Sequence, residues 1–371
     1  VFRSALALVA AAIALLVIGG QVDWNATRAE LSRLGARAAW TVVPYFVVLL
    51  LDTVGWQATF ERKPPLWRLW RIRTATEAVS SSVPAGVAFG ESLRVVMVRR
   101  ATGLSGTAAS ANAIVTKFGI ALAQVVFVLG ALLGAFVRGH GRLAGGGGAR
   151  LVALAVAGVV ASWGAFAAMK SLSRARALGR TVRAAQRVLS PAARSQLDGI
   201  ARVADEVDDG LASFANLPGS RQALALAWFL LGWVALAGED WIILSFLTPG
   251  FSFAAAARME GLVSLVRIGF FFVPGALGAQ EVSYFGLIRA SGVASAAGVA
   301  AAFVLLKRVK ELVWIAIGYG LLAVTRSSAR EQAPVAIAEG ATPRAVVPSK
   351  EPDRLAAGRQ SGSRLSKGRG G

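Results

Sequence analysis

Phe271-Phe272-Val273-Pro274-Gly275-Ala276-Leu277-Gly278-Ala279-Gln280-Glu281 is an apolar run broken by Pro and Gly that ends in a carboxylate. Ser82-Val83-Pro84-Ala85-Gly86-Val87-Ala88-Phe89-Gly90-Glu91 follows the same plan 190 residues earlier. In both, Val-Pro leads, small residues follow, and a Glu stands seven positions after the Pro. Lys117 and Lys307, and Gly130 and Gly320, fall at the same offset. Pro removes a backbone donor and Gly permits a tight reversal. Each stretch is therefore expected to break a helix into two arms, with Pro84, Gly86 and Gly90 shaping the first break and Pro274, Gly275 and Gly278 the second. The rival is a simple Pro kink in a continuous helix; against it, 75–100 is bounded by basic residues at both ends.

The surroundings of these stretches are those of a membrane. Hydrophobic residues make up 55% of the chain and charged residues 16%, and several apolar runs approach the roughly 20 residues that cross a bilayer. The expected fold is an all-α polytopic membrane protein with full spans at 4–20, 38–60, 105–137, 150–169, 222–247 and 293–325. The two Pro-Gly stretches are expected as re-entrant hairpins, because irregular backbone at membrane depth is tolerated only where protein or water covers it. Residues 4–20 read as a span rather than a removed signal peptide, since no small-x-small cleavage site precedes a polar region.

Between the spans, 21–37 reads as an interfacial segment, and Trp40 and Trp56 as interfacial anchors of the second span. Asp52 inside that span has no explanation from sequence. Residues 61–73 mix Arg62, Lys63, Arg68, Arg71 and Arg73 with Trp67 and Trp70, and are expected to grip anionic headgroups. Residues 170–221 read as amphipathic helices on the cytoplasmic surface, with Asp205, Glu206, Asp208 and Asp209 as a solvated helix face rather than a calcium loop. Glu239-Asp240-Trp241 stand toward one end of the fifth span. The domain plan is one membrane domain, 1–326, comprising a first repeat at about 38–137, a linker span, the amphipathic segment and a second repeat at about 222–325. The Ser-, Gly-, Pro- and Arg-rich residues 327–371 are expected to form a disordered basic tail.

Several function classes are set aside by composition. The chain has no Cys, so disulfides and thiolate-metal sites are excluded. Its one His, His140, has no ligand partners, and no metal is expected. Gly145 to Gly148 lack the Lys-Ser/Thr of a phosphate loop, and no cofactor is expected. The net charge is +20, but the basic residues sit between apolar runs, where the positive-inside rule accounts for them better than nucleic acid does. That rule places the N-terminus and C-terminus in the cytoplasm, and the Ala-, Arg- and Gly-rich composition points to a bacterial cytoplasmic membrane. Three spans then separate the hairpins, so the first enters from the cytoplasm and the second from outside. Inverted repeats with broken helices mark transporters.

Ionisable groups within a bilayer cost roughly 2.5–3.5 kcal/mol each. The first half carries Glu77, Glu91, Arg94 and Lys117; the second carries Glu260, Arg267, Glu281, Lys307, Arg308, Lys310 and Glu311. Lys307, Lys310 and Glu311 share a helix face, as do Glu91 and Arg94. Two readings stay open: ion pairs that lock the hairpins to the long spans, or a polar cavity that holds a lipid head. The candidate translocation residues are Glu91, Arg94, Lys117, Arg267, Glu281, Lys307, Lys310 and Glu311.

Pro84-x-Gly86-x-x-x-Gly90-Glu91-x-x-Arg94 and Val273-Pro274-Gly275-x-Leu277-Gly278-x-Gln280-Glu281 resemble the two signature stretches of the flippase-like integral membrane family that contains the transmembrane region of lysylphosphatidylglycerol synthases. The resemblance runs over about residues 5–325. It implies lipid translocation between two re-entrant elements, with Glu91, Arg94 and Glu281 as the carried-over positions. The lysyl-lipid synthases add a soluble aminoacyl-transferase domain, whereas the sequence here ends in a short tail, so aminoacyl-lipid synthesis is not expected. The family also has a stand-alone branch associated with hopanoid biosynthesis, which the Glu239-Asp240-Trp241 span resembles faintly. The expected function is a lipid flippase and not an enzyme. A membrane scaffold for lipid-synthesis enzymes and an intramembrane headgroup transferase are the alternatives, with a homo-oligomer as a further partner considered.

Overall fold

The computed structural model describes residues 20, 23–83, 86–138, 171, 176–188, 216–270, 273 and 276–339, with scattered residues between 198 and 212. The expected spans at 4–20 (apart from Gly20) and 150–169, the Gly-rich loop with His140, and Pro84, Pro274 and Gly275 lie outside the described residues. So does 340–371 of the expected tail.

All described elements are helices. The first, α1 (Trp24–Leu34), starts where the Asp23 carboxylate accepts the Asn25 and Ala26 N–H groups at 3.0 and 2.9 Å, a side-chain cap on donors that would otherwise go unpaired. A short α2 (Arg37–Trp40) leads into α3 (Pro44–Ala58), whose Pro opens the helix without losing a hydrogen bond. Beyond them lie α4 (Leu66–Ser82), α5 (Gly86–Thr102) and the long α6 (Gly106–Arg138). The amphipathic α7 (Ala177–Val188) precedes α8 (Gly219–Leu247), α9 (Phe253–Gly269), α10 (Ala279–Ala290) and α11 (Ala296–Glu339).

Among the described residues, three stretches are long and apolar enough to cross a membrane: Arg37–Ala58, Gly106–Gly134 and Gly219–Leu247. They fall on three of the six expected spans. Residues 296–325 of α11 cover most of a fourth, but Lys307, Arg308, Lys310 and Glu311 interrupt its apolar run.

The helix α8 is the hub. Its Phe229 and Ala225 pack with Trp56 of α3, Leu69 and Ile72 of α4, Met97 and Val98 of α5 and Ala123 of α6. Farther along, Ile243, Leu244 and Leu247 pack with Met259 and Val263 of α9, Tyr284 and Ile288 of α10 and Phe303 of α11. Phe127, Val128, Ala237 and Ala257 join α6, α8 and α9 between these clusters. Large apolar side chains such as Phe89, Val309, Leu312 and Val324 are exposed, as suits an outer surface facing acyl chains.

Both Pro-Gly stretches separate two helices that pack on each other, α4 with α5 and α9 with α10. The two breaks differ in construction. At the first, the helix resumes at Gly86. A side-chain carbon at Gly86 would lie 2.9 Å from the Val79 carbonyl oxygen, and one at Gly90 would lie 2.7 Å from that of Thr76. These glycines let the two arms approach, as small residues do between membrane helices. At the second break the chain turns through Ala276 at φ 46° and Gly278 at φ 82° before α10 begins. There the Gly278 N–H donates to Glu281 Oε2 at 2.7 Å, so the terminal carboxylate of the stretch caps its own helix.

Three expectations from sequence are corrected. Residues 66–73 do not form a separate interfacial segment; they open α4, and Arg73 is buried rather than turned to headgroups. Trp56 is no interfacial anchor: it is 1% exposed, and its indole N–H donates to Asn112 Oδ1 at 2.7 Å. The acidic residues after 200 are only in part a solvated face: Asp209 is exposed and Asp205 partly so, Glu206 lies outside the described residues, and Asp208 turns inward. Asp208 is buried and accepts the Gly179 N–H at 2.8 Å, Asp209 pairs with Arg176 at 2.8 Å, and Asp205 pairs with Arg183. The basic α7 is thus clipped to the acidic segment, because opposite charges placed side by side reduce their joint solvation demand.

Candidate functional site

A cavity of about 380 Å³ lies among α3, α4, α5, α6, α8, α9, α10 and α11. Residues of both breaks line it: Ser80, Ser81 and Val87 from the first, Phe270, Val273, Ala276 and Gln280 from the second. Its ionisable lining is Asp52, Arg73, Glu77 and Lys117 from the first half, and Arg267, Lys307, Lys310 and Glu311 from the second. Tyr45, Trp233 and Trp314 add aromatic walls. The volume falls in the range of small-molecule sites.

Each wall residue is held by its helix. Asp52 faces away from lipid on α3, with Arg73 Nη2 of α4 donating to its Oδ2 at 2.6 Å. One helical turn beyond Arg73, Glu77 reaches the same cavity. Lys117 of α6 pairs with Glu91 of α5 at 2.8 Å, and Glu91 also pairs with Arg94 at 3.0 Å. Arg94 is 1% exposed, with its guanidinium 5.5 Å from the Trp56 ring centre, a favourable cation-aromatic distance.

The second half is more densely paired. Lys307 Nζ of α11 donates to Glu239 Oε1 at 2.9 Å and to Asp240 Oδ1 at 2.6 Å, and Lys310 Nζ reaches the same Glu239 oxygen at 2.7 Å. Lys310 also lies 4.2 Å from the Tyr45 ring centre. Glu260 of α9 accepts the Tyr284 hydroxyl at 2.5 Å and pairs with Arg267 on the same helix. Arg267 extends to Gln280 Oε1 at 3.4 Å. Glu281 and Glu311 both pair with Arg308.

Of the eight residues expected to form the site, Lys117, Arg267, Lys307, Lys310 and Glu311 line the cavity. Glu91, Arg94 and Glu281 do not; they stand behind it as partners of Lys117, Glu91 and Arg308. The two carboxylates that end the Pro-Gly stretches behave alike in one respect: each binds a cation on the long helix that follows, Glu91 to Lys117 and Glu281 to Arg308. Asp52 and Arg73 line the cavity without having been expected there, and Glu77, counted among the membrane-depth charges but not among the candidates, joins them. A carboxylate in an otherwise apolar span was the available signal for Asp52. Arg73 was hidden by the basic run that precedes it.

Residues 4–309 match the family described as lysylphosphatidylglycerol synthase TM region. The chain belongs to that family. Comparison with curated proteins and with solved structures finds no match. Membership makes the chain a multi-pass membrane protein, and the match covers both Pro-Gly stretches and every wall residue except Lys310, Glu311, Trp314 and Ile315. The cavity wall is mainly cationic, while Glu91, Glu239, Asp240 and Glu260 pair with the wall cations from behind. Neutralising partners at that position lower the cost of keeping charges at membrane depth.

Proposed function

We propose that this chain is a lipid flippase: a polar head passes through the charged cavity while the acyl chains stay in the bilayer. The carrying observation is that residues of both Pro-Gly breaks and charged residues of both halves meet around one cavity in a protein with an apolar exterior. Family membership adds support, as does the length of α10, whose 12 residues extend about 18 Å against a hydrocarbon core of roughly 30 Å. We read the two broken pairs as re-entrant elements of an inverted repeat among six spans, in the bacterial cytoplasmic membrane with both termini inside. Alternating access then follows from rocking one half against the other, with no bond made or broken, so the protein acts as a transporter and not as an enzyme. A hopanoid-type lipid and a phospholipid are both candidates for the cargo at this level.

The test is reconstitution into liposomes carrying a headgroup-labelled lipid in one leaflet. The protein should equalise the label between leaflets well above the protein-free rate. Equal rates with and without protein would end the flippase reading.

A further inference from the structure

We infer that the cavity binds a phosphate group on its cargo through Arg73 and Lys117, and so selects anionic heads over uncharged polar ones. The inference rests on the lipid-transport reading and narrows its substrate class.

Arg73 supplies the first argument. It is 7% exposed, and Asp52 takes only its Nη2. Its Nε and Nη1 are buried without a hydrogen-bond partner, although the residue lines the cavity. A buried donor left unpaired costs about 1–3 kcal/mol, more when charged. A tetrahedral oxyanion supplies paired acceptors matched to the guanidinium fork. Lys117 supplies the second. Its side chain is 41% exposed, one direction is taken by Glu91, and an ammonium has three donors.

The third argument is the arrangement of charge. The wall cations Lys117, Arg267, Lys307 and Lys310 are each matched by a carboxylate that does not line the cavity. Of the wall carboxylates, Asp52 is tied to Arg73 and Glu311 to Arg308. Glu77 is the exception: it lines the cavity and makes no salt bridge among the described residues, with Arg73 one helical turn away on the same helix. The surface met by a head is thus positive, although the buried charges as a set are nearly balanced. An uncharged polyol would leave the spare Arg73 donors with weaker acceptors than a phosphate does.

The purified full chain in detergent, with the change in tryptophan fluorescence on filling a cavity walled by Trp233 and Trp314 as the readout, is titrated with short-chain phosphatidic acid, the matching diacylglycerol, and glycerol phosphate. Phosphatidic acid should bind at least about ten-fold more tightly than diacylglycerol, the equivalent of one charge-assisted hydrogen bond. Arg73→Lys should weaken phosphatidic acid by about ten-fold while keeping the charge beside Asp52. Glu77→Gln should tighten it, a gain that misfolding cannot mimic. Glycerol phosphate binding as tightly as the lipid would uphold the phosphate site while ending the lipid reading. Equal affinity for diacylglycerol and phosphatidic acid, no binding of either, or an unchanged affinity in Glu77→Gln would overturn the inference.

Discussion

Arg73 Nη2 stands 2.6 Å from Asp52 Oδ2, and both side chains are buried between α3 and α4. The pair explains an acid in the middle of an apolar span and anchors the first broken helix pair to the apolar helix α3. Removing one partner of a buried pair strands the other, at a cost of about 3–5 kcal/mol. Asp52→Leu and Arg73→Met should each lower the unfolding temperature in detergent, and the double variant should recover most of the loss. A double variant as unstable as the sum of the singles would show that the two residues act independently.

Glu281 has two tasks, capping Gly278 and pairing with Arg308. Glu281→Gln keeps a hydrogen-bond acceptor for the cap but gives up the ion pair with Arg308. Its loss of stability should therefore be smaller than that of Glu281→Ala, which forfeits both. Thermal unfolding of the two variants side by side checks the order; equal losses would remove the capping role.

Gly90 lies where a side chain would strike the Thr76 carbonyl. Gly90→Val should separate the arms of the first broken pair and reduce the folded yield sharply. Gly130→Val, at a position with no neighbour within reach, should be tolerated. Size-exclusion profiles of the two variants provide the comparison.

The orientation of the two breaks is open to chemical labelling, since the chain has no native Cys. Val87→Cys and Leu277→Cys should react with a membrane-impermeant maleimide from opposite faces of the membrane. Reaction of both from the same face would exclude the inverted arrangement while leaving the cavity intact.

Much of this architecture is legible in the sequence. Apolar length marks the crossings at Arg37–Ala58, Gly106–Gly134 and Gly219–Leu247, and the Pro-Gly composition marks both breaks. Which charges face the cavity is less legible, because helical spacing places residues on a face without saying what lies opposite. Lys307, Lys310 and Glu311 do share the cavity wall, as their spacing implies. Glu91 and Glu281, the residues with the clearest motif, stand one layer behind it as partners. Arg73 and Glu77 reach the wall only because α4 runs unbroken from Leu66 to Ser82, and the basic residues before Arg73 disguised that continuity as an interfacial segment.

The most direct measurement is the flip rate of a headgroup-labelled lipid in liposomes containing wild type or Lys117→Ala. Lys117 combines a place on the cavity wall with a partly exposed side chain, so its truncation should alter transport more than folding. Wild type is expected to exceed protein-free liposomes clearly, and Lys117→Ala to fall at least about ten-fold below wild type with its unfolding temperature little changed. Wild-type flipping by Lys117→Ala, or a wild-type rate no higher than that of protein-free liposomes, would contradict a charged cavity that carries the lipid head.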